Sequence, residues 1–128
     1  ANIKATLKTY FDSVTTTLTN KRLTPRVQAV TSAATVTPNS DNDDLVTITA
    51  QAEALTIANP SGTPVSGQAL LIRIKDNGTA RAITFGSEYR AIGVSLPTTT
   101  VISKTMYIGL MRNAADTKWD VIGLSKEV

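Results

Sequence analysis

A chain of 128 residues is the length of one domain, and a single core of that size folds without a disulfide or metal staple. It has no Cys and no His, which removes disulfides, thiol nucleophiles, the usual zinc and haem ligands and imidazole acid–base chemistry. Thirteen basic residues against ten acidic ones leave a formal charge of +3, but the basic residues are scattered and no aromatic series is interleaved with them, so a nucleic-acid binder is not expected.

The chain starts at Ala1, from which removal of an initiator Met and a complete small protein are expected. The opening ANIKATLKTY has no apolar signal-peptide core, and no apolar run approaches the ~18 residues of a membrane span, so no membrane partner is expected. Ile3, Leu7, Tyr10, Val14 and Leu18 recur at spacings of four, three, four and four, with Phe11 widening the stripe. This is the period of an amphipathic helix with Asn2 placed to cap it, and Ile3 to Val14 also fits the a/d seam of a short coiled coil. The β-branched run Thr15-Thr16-Thr17 weakens the helix, and Pro25 ends it at or before Thr24, so it is expected to stop near Asn20. The stripe is the expected oligomer or anchoring interface; the alternative is a helix packed on its own domain.

Beyond Pro25 the period changes from helix to strand. Thr occupies 21 positions, and Val27, Ala29 and Thr31 alternate with other residues, as do Thr35 and Thr37. After the polar break 38–44 come LVTITA and ALTIA, and then the turn residues Asn59 to Pro64. ALLIRIK sets Leu70, Ile72 and Ile74 on one face against Leu71, Arg73 and Lys75 on the other. Asp76-Asn77-Gly78 predicts a hairpin to RAITF at residues 81–85. YRAIGV, TMYIGLMR and KWDVIGLSK complete the series, the last two joined through residues 113–117. The rhythm predicts an all-β, jelly-roll-like β-sandwich of about eight strands with one N-terminal amphipathic helix. The helix and arm take residues 1–24 and the sandwich 25–128.

Catalytic patterns are missing. Ser61-Gly62 and Ser66-Gly67 lack a nucleophile elbow, and Glu53, Glu88 and Glu127 lie far apart in sequence, so no enzyme and no cofactor are expected. Asp41-Asn42-Asp43-Asp44 has oxygen ligands but neither the glycine nor the distal glutamate of an EF-hand, and reads as an exposed polar turn. Gly62 to Gly67 is interrupted by Pro64 and makes no phosphate cradle. Tyr89, Tyr107 and Trp119 are the aromatics able to serve a glycan site, although two of these sit in predicted strands, where burial is the usual fate.

From Ala69 onward the chain resembles a module of tailed-phage structural proteins. The resemblance covers about the last sixty residues and lies in a series: Asp76-Asn77-Gly78, Tyr89-Arg90, Leu96-Pro97-Thr98, Lys104, Tyr107 and Lys118-Trp119-Asp120. Residues 1–60 carry no such pattern. The resemblance implies a non-enzymatic virion component, built as a β-sandwich and often trimeric. With a short chain and no repetitive shaft, the expectation is a homotrimeric capsid decoration protein located in the virion, with the major capsid protein as partner. The alternative is a tail-fibre or adhesin tip that binds a host surface glycan.

Overall fold

The computed structural model describes residues 2–15, 17 and 19–128. It is mostly β: one short helix, α1 (Ile3–Ser13), precedes nine strands. They are β1 (Val27–Val30), β2 (Thr35–Val36), β3 (Leu45–Gln51), β4 (Leu55–Ile57), β5 (Ala69–Asp76), β6 (Ile83–Phe85), β7 (Tyr89–Ala91), β8 (Met106–Asn113) and β9 (Lys118–Lys126). Helix α1 ends seven residues before the expected stop near Asn20. Val14 is already extended, at φ −127° and ψ 145°, where the β-branched run begins and no packed neighbour offsets its poor helix propensity.

The strands form a six-stranded sheet, ordered β1-β3-β5-β8-β9-β7, and a three-stranded sheet, ordered β2-β4-β6. Their positions follow the alternation, but the connectivity does not follow the expectation. The chain crosses from the large sheet to the small one and back three times, so that β1, β3 and β5 stack in parallel, as do β2, β4 and β6. Five of the seven strand pairings are parallel, whereas a jelly roll is made of antiparallel Greek keys. The hairpin expected at Asn77-Gly78 is likewise absent. Gly78 does turn the chain, at φ +96°, but β6 leaves for the small sheet because both edges of β5 are taken by β3 and β8. Only β8 and β9 form the expected hairpin.

The core lies between the two sheets. Ile48, Leu70, Ile72, Ile74, Ile108, Leu110 and Trp119 come from the large sheet, and Val36, Leu55, Ile57 and Ile83 from the small one. Trp119 is fully buried, as expected. Tyr89 is buried too; its ring meets Phe85 edge-on at 5.4 Å and its hydroxyl donates to the Ala58 carbonyl at 2.9 Å. Burial pushes the Tyr89 hydroxyl pKa far up, with the Glu88 charge adding to it. The Leu96-Pro97-Thr98 segment runs along the edge of β6, where Ile83 N–H donates to the Thr98 carbonyl.

Each crossing on one side is pinned by a buried polar side chain at the end of a large-sheet strand. Gln51 is fully buried; its amide accepts from Ala33 N–H at 3.2 Å and donates to the carbonyls of Ala33 at 2.7 Å and Glu53 at 2.9 Å. Asp76 stands in register with Gln51 one winding later. Its carboxylate accepts from Thr100 Oγ1 at 2.7 Å, Ser103 N–H at 2.8 Å and Gly78 N–H at 3.0 Å. Burial pushes the Asp76 carboxyl up, but those three bonds and the nearby Arg81 outweigh it, so its pKa lies below the ordinary value.

Gln51→Ala strands the Ala33 N–H and carbonyl inside the arch and should cost about 2–4 kcal/mol in urea unfolding. Because the folded Asp76 pKa is depressed, its stabilisation is complete above the unfolded value of about 4 and is lost as pH falls through the folded value. Stability should therefore be level from neutral pH down to about 5 and fall below about 4, and Asp76→Asn should both lower it at pH 7 and flatten that acid slope.

Candidate functional site

The expected interface residues sit on a helix that its own chain leaves uncovered. Asn2 caps it: its Oδ1 accepts from Lys4 N–H at 3.1 Å and Ala5 N–H at 3.3 Å. Lys8 and Asp12 pair across one turn on the outside. Ile3, Leu7 and Tyr10 share one face with Phe11, and all four are at least half exposed. Val14 continues the stripe just beyond the last turn and is also exposed; Leu18 lies outside the described residues. No residue of α1 is buried, so the reading of a helix packed on its own domain does not describe this arrangement. An isolated helix of this length is marginal in water. Beyond the Asn2 cap and the Lys8–Asp12 pair, its own chain, among the described residues, adds no packing to stabilise it.

A second exposed apolar surface, which the sequence reading did not single out, is the outer face of the six-stranded sheet. Cross-strand register lines up Val27, Leu45, Leu71 and Gly109 across β1, β3, β5 and β8. Met111 and Ile122 flank the row and are exposed, and Ile122 leans over the gap at Gly109. The available signal was the presence of Leu71 on the outward, otherwise charged face of ALLIRIK.

The residues behind the phage-like series meet as architecture. In the parallel β7–β9 pair, Tyr89 stands opposite Trp119 and Arg90 opposite Asp120. Arg90 binds Asp120 through two bonds of 2.7 and 3.1 Å and reaches Asp116 at 2.9 Å; these bonds raise its pKa and lower that of Asp120. Arg112, nearly buried, pairs with Glu88 at 2.7 Å and lies 5.7 Å from the centre of the Trp119 ring. Lys104 binds the Val128 carbonyl at 2.9 Å and stands 3.8 Å from Glu127.

The acidic turn is spent on holding loops together. Asp41 accepts from Thr63 N–H and Oγ1, Asp43 from Asn39 N–H, and Asp44 from the Arg26 backbone and guanidinium. The Arg26 bonds hold the Asp44 carboxyl down to about 2. Its three carboxylates thus point to three different donors, and no group of three or more potential metal ligands occurs among the described residues. Of the three aromatics considered for a glycan, Tyr89 and Trp119 are buried, while Tyr107 is 38% exposed on the outer sheet face. Comparison with known protein families, curated proteins and solved structures finds no match to this chain.

Since nothing in the β body rests on the helix stripe, Leu7→Asp should leave the unfolding free energy of the monomeric body within about 0.5 kcal/mol of the parent. Ile72→Ala, deep between the sheets, should cost about 2–5 kcal/mol in the same denaturant titration.

Proposed function

We propose that the protein is a non-enzymatic structural component of a tailed-phage virion, a homotrimer that decorates the capsid through contact with the major capsid protein. The observation that carries this reading is the uncovered stripe of Ile3, Leu7, Tyr10, Phe11 and Val14 on a helix with no buried residue. A side chain of this kind gains about 1.5–3 kcal/mol on full burial, so partial burial of five of them is enough to hold a helix that is marginal alone. The spacing of Ile3, Leu7, Tyr10 and Val14 suits a seam between copies. The phage-like series of the C-terminal half supports the virion setting. A closed core, paired buried charges and loops tied by their own carboxylates suit a part whose work is binding by shape.

A second reading, a tail-fibre or adhesin tip that binds a host surface glycan, is favoured by the exposure of Tyr107 beside two basic residues of the sheet face.

Light scattering should give the mass of three chains, with Leu7→Asp shifting the protein to monomer and abolishing binding to expanded, undecorated heads. A parent chain that stays monomeric at high concentration, or that binds host cells and not heads, would overturn the decoration reading.

A further inference from the structure

We infer that the outer face of the six-stranded sheet carries a binding site for an anionic sugar, built by Arg73, Lys75, Tyr107 and Thr49. These residues line a shallow, open cleft of about 300 Å³ together with Thr105 and Ile48. The cleft exists because of two features of the sheet. Arg73 and Lys75 alternate on the outward side of β5, with Tyr107 of β8 directly opposite Arg73. On the other flank, where Thr49 lies, the register of β3 against β5 shifts between Ile48 and Gln51.

The electrostatics point to an anion. Arg73 and Lys75 form no ion pair among the described residues, and neither do Lys4, Lys21, Arg22, Arg81, Lys118 and Lys126; what sets Arg73 and Lys75 apart is that they share one outward strand face. Two residues apart on one strand face, they stand about 7 Å from each other at the backbone, and an anion between them relieves their repulsion. Glu127 is held beside the cleft by Thr105 N–H at 2.9 Å and by Lys104, and the charge of Lys75 also helps to lower its pKa, so Lys75 is partly balanced and Arg73 is the less compensated of the two.

The shape and the remaining groups point to a sugar. Tyr107 offers an exposed aromatic ring and Thr49 a hydroxyl, beside one planar fork of donors and one ammonium. A flat apolar wall with a few convergent polar groups suits a compact ring bearing hydroxyls and one carboxylate or sulfate, and the volume is at the small end for ligand sites. An extended acidic peptide is disfavoured, because peptides add to open sheet edges and β5 and β8 are paired on both sides. A nucleic-acid strand would need cations recurring along its path. The inference stands on the sheet face alone and is the same for a protein on a head or on a tail.

The test is a titration of the isotope-labelled full chain followed by amide NMR shifts, with sodium glucuronate and glucose 6-sulfate as probes. Glucose, sodium acetate and hexaglutamate are the comparators. Saturable shifts are expected at residues 49, 73, 75, 105 and 107 with at least one anionic sugar, and the better of the two identifies carboxylate or sulfate as the anion. Glucose and acetate should each bind at least about tenfold more weakly. Arg73→Gln with Lys75→Gln should lose the charge preference, and Tyr107→Ala should lose the sugar over acetate, with the rest of the spectrum unchanged. The inference is overturned if neither sugar shifts these amides or if glucose binds as well. It also falls if acetate matches the sugars, which would mean an adventitious anion only, or if hexaglutamate binds tighter than either, which would mean a protein ligand.

Discussion

Gln51 and Asp76 stand side by side where the chain leaves the large sheet, and each ties separate connections together: Gln51 holds Ala33 and Glu53 of successive arches, and Asp76 holds Gly78 of its own arch and Thr100 and Ser103 of the segment before β8. A buried amide and a buried carboxylate are costly unless every partner is in place. Their placement therefore commits the chain to cross between sheets at those points, because a strand turning back within its own sheet would leave them unpaired. The parallel stacking of β1, β3 and β5, and of β2, β4 and β6, follows from that crossing. So does the position of the β8–β9 hairpin, which pairs with the edge of β5 that the windings leave open.

The same economy of partners divides the surface in two. Most carboxylates of the β body are engaged in holding it together: Asp41 and Asp44 tie neighbouring windings, Asp43 closes its own turn on Asn39 N–H, and Asp116 and Asp120 clamp Arg90. Among the described residues, the helix stripe and part of the outer sheet face are two surfaces on which apolar or charged side chains are grouped without an internal partner. Apolar side chains of the size of Tyr10 and Phe11 gain more from being covered than surface polar groups do from being paired. The helix is therefore the part of the molecule with the greatest free energy to gain from association, and the sheet face comes second.

Much of the local structure was legible in the chain. Every predicted strand has an observed counterpart within a few residues, because each carries its own period-two alternation or its own flanking turn residues. ALLIRIK is the plainest case, with Leu70, Ile72 and Ile74 buried as read. The Asn2 cap and the start of the helix were equally local. The helix ends short of its apolar period because the β-branched residues that follow have no packing to sustain a helix. At Asn77-Gly78 the residues fix only that the chain turns, and β6 joins the other sheet because both edges of β5 are taken.

The cleft at Arg73 and Lys75 was hidden for the same reason. Both residues were seen to face away from Ile72 and Ile74, yet their neighbours Thr49 and Tyr107 come from strands more than twenty residues away. The amino-acid sequence by itself determined where the strands lie, which of their sides turns inward, how the helix starts, and that Cys and His chemistry has no place here. These depend on contacts within a few residues and on residue type. Only the tertiary structure decided which strand pairs with which, that the windings are parallel, and which charges remain unpartnered. Strands of like period are interchangeable until buried groups such as Gln51 and Asp76 favour the one arrangement in which their own polar atoms are partnered.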